Sequence, residues 1–117
     1  MEQSLLLLDD FTWRSVLGKY VEADMEAHTR RSYRRYRVAG RVIAEYRLNE
    51  KLERHNCHIL NLAAEGLLIF STVEMPVGVW VDLQIELGED NFLAIGMTCH
   101  CTQTVGGYKV GVRLVFR

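Results

Sequence analysis

The stretch Ile59-Leu60-Asn61-Leu62-Ala63-Ala64-Glu65-Gly66-Leu67-Leu68-Ile69 joins two apolar runs through a short polar turn, the pattern of a β-hairpin. The sequence on either side repeats that pattern. From Arg37 onward, short runs rich in Val, Ile, Leu, Tyr and Phe alternate with turn signals. This predicts strands over Val38 to Leu48, Cys57 to Leu62, Gly66 to Ser71, Trp80 to Leu87, Ala94 to Thr104 and Tyr108 to Phe116. The breaks have physical causes. Asn49 to Asn56 is polar and charged, Pro76 and Gly78 interrupt pairing, and Gly88 to Asn91 reads as a turn. Val105-Gly106-Gly107 reads as a tight hairpin connection in which glycine takes positive φ. Six strands in about 80 residues, with no helical period between them, favour an all-β fold: a six-stranded antiparallel β-barrel, closed or nearly closed, since closure removes the exposed edges of a short sheet.

Ahead of the strands, Trp13, Val16, Leu17, Tyr20 and Val21 recur at helical spacing, and Asp9 or Asp10 suits the cap position. An amphipathic helix is therefore expected within Met1 to about His28. Its apolar stripe has two uses: packing on its own barrel, or docking a partner or a second copy of the chain.

At 117 residues the chain suits one domain, because a single core of that size buries enough apolar surface to offset the entropy of ordering it. Its 49% hydrophobic and 25% charged residues fall in the globular range, which argues against a disordered or fibrous chain. A net charge of −1 gives no bulk attraction for nucleic-acid polymers or membranes. The longest apolar runs fall far short of the ~18 residues needed to span a bilayer, so no membrane insertion is expected. Three cysteines, Cys57, Cys99 and Cys101, leave at least one thiol unpaired, and the Leu5 to Leu8 run lacks the basic flank and length of a signal sequence. A reducing, cytoplasmic location is expected.

Positive charge is concentrated at one place. Thr29-Arg30-Arg31-Ser32-Tyr33-Arg34-Arg35-Tyr36-Arg37-Val38 lies at the junction of the helix and the first strand. A guanidinium presents a planar fork of donors that grips a phosphate or the Hoogsteen edge of guanine, and its flat face stacks on a base. Tyr33 and Tyr36 add stacking surface. The same run also reads as a solvated basic hinge paired with Glu22, Asp24 and Glu26. In the hairpin quoted first, Asn61 offers an amide to a base edge, and Gly66 permits close approach of a ligand.

Taken together, these two stretches resemble the PilZ family. Its marks are an Arg-x-x-x-Arg motif just before the first strand and an Asp/Asn-x-Ser-x-x-Gly motif between the second and third. Arg31-Ser-Tyr-Arg-Arg35 supplies the first and Asn61-Leu-Ala63-Ala-Glu-Gly66 most of the second. Arg30 to Arg34 has the same spacing, but the Arg31–Arg35 register leads directly through Tyr36-Arg37-Val38 into the strand. Met75-Pro76-Val77-Gly78 and Tyr108 to Phe116 are similar to the family's later turn and closing strand.

The resemblance implies a PilZ-like barrel domain over residues 29–117 after a helical segment over 1–28. The implied activity is that of a receptor or adaptor for cyclic di-GMP, not an enzyme. Arg31 and Arg35 would hold guanine and phosphate groups, Asn61 and Gly66 would shape the opposite wall, and Arg30 would add a stacking or phosphate contact. Ligand binding would reorient the N-terminal segment for a protein partner, with a homodimer as a further arrangement. Ala63 stands at the family's serine position. A lost neutral hydrogen bond is worth about 0.5–1.5 kcal/mol, roughly tenfold in affinity, which a micromolar site survives.

Other chemistries are weaker. A degenerate PilZ-like module that binds only protein is the main alternative, and a single-strand nucleic-acid barrel is opposed by the near-neutral charge. His55, Cys57, His58, Cys99, His100 and Cys101 are suitable zinc ligands by type. However, strand alternation puts Cys99 and Cys101 on one face and His100 on the other, and no pair has zinc-knuckle spacing; no metal or cofactor is expected. No nucleophile–base pattern, phosphate loop or carboxylate pair suggests catalysis. Trp80 reads as core or barrel rim.

Overall fold

The computed structural model describes residues 6–24 and 40–116. A two-residue strand β1 (Leu6–Leu7) precedes helix α1 (Asp10–Asp24), followed by β2 (Arg41–Leu48), β3 (Lys51–Ala63), β4 (Gly66–Ser71), β5 (Trp80–Leu87), β6 (Asp90–Thr104) and β7 (Gly107–Val115). Around the sheet the order is β1-β6-β5-β2-β3-β4-β7, and pairing of β6 with β7 closes β2 to β7 into a six-stranded antiparallel barrel. Two three-stranded meanders, β2-β3-β4 and β5-β6-β7, thus join along both edges.

Two-residue turns account for most of the connections. Leu48 pairs with Lys51, Ala63 with Gly66, Leu87 with Asp90 and Thr104 with Gly107. The first of these corrects the sequence expectation of a long break over Asn49 to Asn56. Asn49 (φ 53°) and Glu50 (φ 66°) both adopt left-handed backbone, as a type I′ turn requires, and Lys51 to Asn56 is strand. Its polar side chains hid it, because much of this half of β3 faces solvent. Likewise β6 begins at Asp90 rather than Ala94, and only Gly88 and Glu89 form the turn. β2 begins at Arg41 within the described residues, three positions after the expected start. The Leu-rich start contributes β1, which runs parallel to β6 at Phe92 and Leu93.

Alternation fills the interior. Val42, Ala44, Cys57, Ile59, Ile69, Val81, Leu83, Ile85, Ala94, Val110 and Val112 point inward and are buried. Burying each large aliphatic side chain is worth about 1.5–3 kcal/mol, and a barrel of this strand number is filled by such side chains. A ligand therefore has to bind on the outside. Two β-bulges reverse the alternation. Leu60 has no partner between Ile59 and Asn61, so the next inward residue is Leu62; Cys99 has none between Thr98 and His100.

The two ends of the barrel are closed differently. At one end, Leu8, Trp13, Val16 and Leu17 join the core from α1 and its approach, and Leu8 N–H donates to the Leu93 carbonyl at 2.6 Å. Asp9 caps the helix: its Oδ1 accepts from Thr12 N–H at 2.7 Å, which holds the Asp9 carboxyl below the usual range. At the other end the β4–β5 connection folds under the barrel with Met75 buried. The buried Thr98 hydroxyl donates to the Pro76 carbonyl at 2.7 Å and accepts from Val79 N–H at 3.2 Å, fixing that connection to β6. No described helix is long and apolar enough to cross a membrane.

Candidate functional site

Rows of outward-facing residues cross β3, β4, β7 and β6 on the outside of the barrel. Strand register aligns Asn61, Leu68, Gly111 and His100 in one row and Ala63, Gly66, Arg113 and Met97 in the next; Phe70, Lys109 and Thr102 follow. Asn61 and His100 are three inter-strand spacings apart, about 14 Å at the backbone. Between them lies a groove of about 640 Å³. That volume suits a nucleotide-sized ligand. Asn61, Ala63 and Gly66, the residues singled out on this hairpin, all line it.

Glycine makes the floor low. A Cβ at Gly66 would collide with the Val112 carbonyl oxygen, so only glycine lets β4 and β7 approach so closely there. At Gly111 the space a side chain would take is filled by the His100 imidazole, which crosses from the neighbouring strand. The β3 bulge at Leu60 turns Asn61 and Ala63 outward, and the β6 bulge at Cys99 brings His100 onto the same face. Both irregularities border the groove.

Ala63 has a second connection. Its carbonyl accepts a hydrogen bond of 2.9 Å from the indole N–H of the fully buried Trp13, so α1 is tied to the hairpin that forms the groove wall. The start of β2 is tied to the same strand, since Ile59 N–H donates to the Gly40 carbonyl at 2.9 Å, two residues before Asn61. Arg30, Arg31 and Arg35, the other expected contacts, lie outside the described residues.

Electrostatics favour an anion. Lys109 and Arg113 line the groove, and neither takes part in an ion pair among the described residues, whose pairs are Arg14–Asp10, Lys19–Asp90, Arg41–Glu86, Lys51–Glu53 and Arg54–Glu45. Glu65 is the acid in the lining. A groove of similar size, about 660 Å³, lies near the far end between Leu52, Arg47, Trp80 and Asp82, with Glu45 also in its wall. Its acids outnumber its single arginine, and Trp80 is 58% exposed there, a rim residue rather than core.

The histidines and cysteines disperse. His55 Nε2 meets the Tyr46 hydroxyl at 2.9 Å, with the rings tilted and 5.5 Å apart. Burial, and after it the nearby Glu53, Cys57 and Cys101, pushes the Tyr46 hydroxyl pKa up, which keeps it a neutral partner for His55. Cys57 is buried and its thiol is also pushed up by burial. The expectation that Cys99 and Cys101 share a face while His100 opposes them is wrong. The bulge at Cys99 breaks the alternation, so Cys99 and His100 are both exposed and Cys101 packs partly against the core. Among the described residues no group of three or more His, Cys, Asp or Glu side chains is set to hold a metal ion.

His100, Lys109, Gly111 and Arg113 were not singled out as site residues from the sequence. The period-2 spacing of Lys109, Gly111 and Arg113 was available there, but the register that sets them beside Asn61 was not. Set against known proteins, the chain matches no family model and no curated sequence.

Proposed function

We propose that this chain is a PilZ-type receptor or adaptor for cyclic di-GMP, without catalytic activity of its own. The observation that carries the reading is the groove on the outside of a filled six-stranded barrel, where Asn61, Ala63 and Gly66 share one wall. Gly40 bonds to β3 two residues from Asn61. Arg35 lies five residues before Gly40, which allows a reach of about 17 Å even before its own side chain is counted. Arg31 and Arg35 then supply guanidinium forks to guanine and phosphate, Arg30 adds a further contact, and Asn61 and Gly66 form the facing wall. Ala63 contributes no hydroxyl, so binding in the micromolar range is expected.

The response follows from the connections of the hairpin. A ligand seated against Ala63 acts on the strand that holds Trp13, and it shifts α1 only in so far as it contacts two arrangements of the segment differently. The output is a changed surface for a protein partner.

Isothermal titration with cyclic di-GMP tests this. Binding in wild type and its loss in Arg31→Ala and Arg35→Ala are expected; no heat from wild type at high micromolar nucleotide removes the reading. A second reading, a protein-docking barrel indifferent to nucleotide, is favoured by Trp80 and Leu52, which are 58% and 55% exposed around the far groove. Partner capture abolished by Trp80→Ala and unchanged by nucleotide would select it.

A further inference from the structure

We propose that His100, Lys109 and Arg113 form a second, cationic wall of the groove that holds the phosphates and one base of the bound guanine dinucleotide. This rests on the reading above and adds residues that the arginine segment and the Asn61 hairpin do not include.

Lys109, Gly111 and Arg113 alternate along β7, so both cations project from the same face on either side of a position without a side chain. His100 pairs with Gly111 across the strands, and its ring occupies the vacant position. The result is an exposed imidazole flanked by an ammonium and a guanidinium, opposite Asn61 and beside the apolar Leu68 floor.

Some surface cations of this barrel are matched by acids on neighbouring strands. Arg41 and Arg54 are, through Glu86 and Glu45. Among the described residues no acid pairs with Lys109 or Arg113, although their neighbours across β4 and β6 are in place: Phe70 and Thr102 beside Lys109, and Gly66 and Met97 beside Arg113. None of these four carries a charge. Among the described residues Glu65 is the acid in the lining, so the two cations leave the groove a net positive charge, and an anion carrying two phosphates answers them. The imidazole between them suits a base rather than a simple inorganic anion.

The test is titration of cyclic di-GMP into wild type, His100→Ala, Lys109→Gln, Arg113→Gln and Arg35→Ala, each at low and high salt. All these side chains except Arg35 are exposed and described, and a thermal melt checks that each variant remains folded. Each charge-removing β7 variant is expected to weaken binding about tenfold or more at low salt and to flatten its salt dependence, as expected for loss of a charge-assisted contact. His100→Ala is expected to weaken binding with its salt dependence unchanged. Wild-type affinity in all three variants, alongside loss in Arg35→Ala, overturns this wall and leaves the cyclic di-GMP reading standing. Absence of binding by wild type overturns both.

Discussion

Replacing Trp13 by phenylalanine separates the helix from the hairpin at a single atom. The indole is fully buried and donates to the Ala63 carbonyl at 2.9 Å in a part-buried setting. A buried acceptor stripped of its partner costs about 1–3 kcal/mol, and partial access of water to Ala63 favours the lower half of that range. The smaller ring also leaves a void at the end of the core, worth about 1 kcal/mol more. Trp13→Phe should therefore lose about 2–3 kcal/mol, which for a chain of this size lowers Tm by about 8–12 °C. Urea unfolding followed by far-ultraviolet circular dichroism is the suitable assay, because the remaining tryptophan, Trp80, is largely exposed and reports poorly on the core. A loss below about 0.5 kcal/mol with an unchanged m-value would refute the reasoning, since it would mean that α1 is not held to the barrel through Ala63.

Glu50 is strained at φ 66° in a turn whose first position, Asn49, already suits it. Glu50→Gly should stabilise the barrel by about 0.5–1 kcal/mol, read as a rise in the urea midpoint. Asp9 has its carboxyl held low by the Thr12 N–H, so its capping contribution is fully present above the ordinary carboxylate range and is lost as pH falls through the depressed value. Asp9→Asn should flatten that acid limb of a Tm-versus-pH profile, while Asp9→Ala lowers Tm across neutral pH. The thiols should label in the order of their exposure: Cys99 reacts with a thiol reagent at mildly alkaline pH in the folded protein, whereas Cys57, buried and with its pKa raised, reacts only on unfolding.

Alternation was the legible part of the fold. Gly66 to Ser71 and Trp80 to Leu87 carry period-2 apolar patterns between clear turn signals, and both strands have the bounds read from sequence. Lys51 to Asn56 was illegible because its outward side chains are polar and its turn uses Glu50, a residue that rarely takes positive φ. The bulges at Leu60 and Cys99 leave no compositional mark, yet each flips the facing of every residue after it. That is why Asn61 was identified by its chemistry alone, and why His100 was assigned to the wrong side relative to its neighbours. The pairing of β4 with β7, which brings Gly66 beside Arg113, joins residues far apart in sequence and follows from closure of the whole sheet. Local pattern carries no information about it.

The most direct test is a titration of cyclic di-GMP into the isotope-labelled full chain, followed residue by residue through backbone amide resonances. Shifts that saturate together at Asn61, Ala63, Gly66, Leu68 and Gly111, with the Leu52 and Trp80 end unmoved, are the expected result. Resonances that stay fixed throughout, or that move only around Trp80, would contradict the assignment of this groove as the nucleotide site.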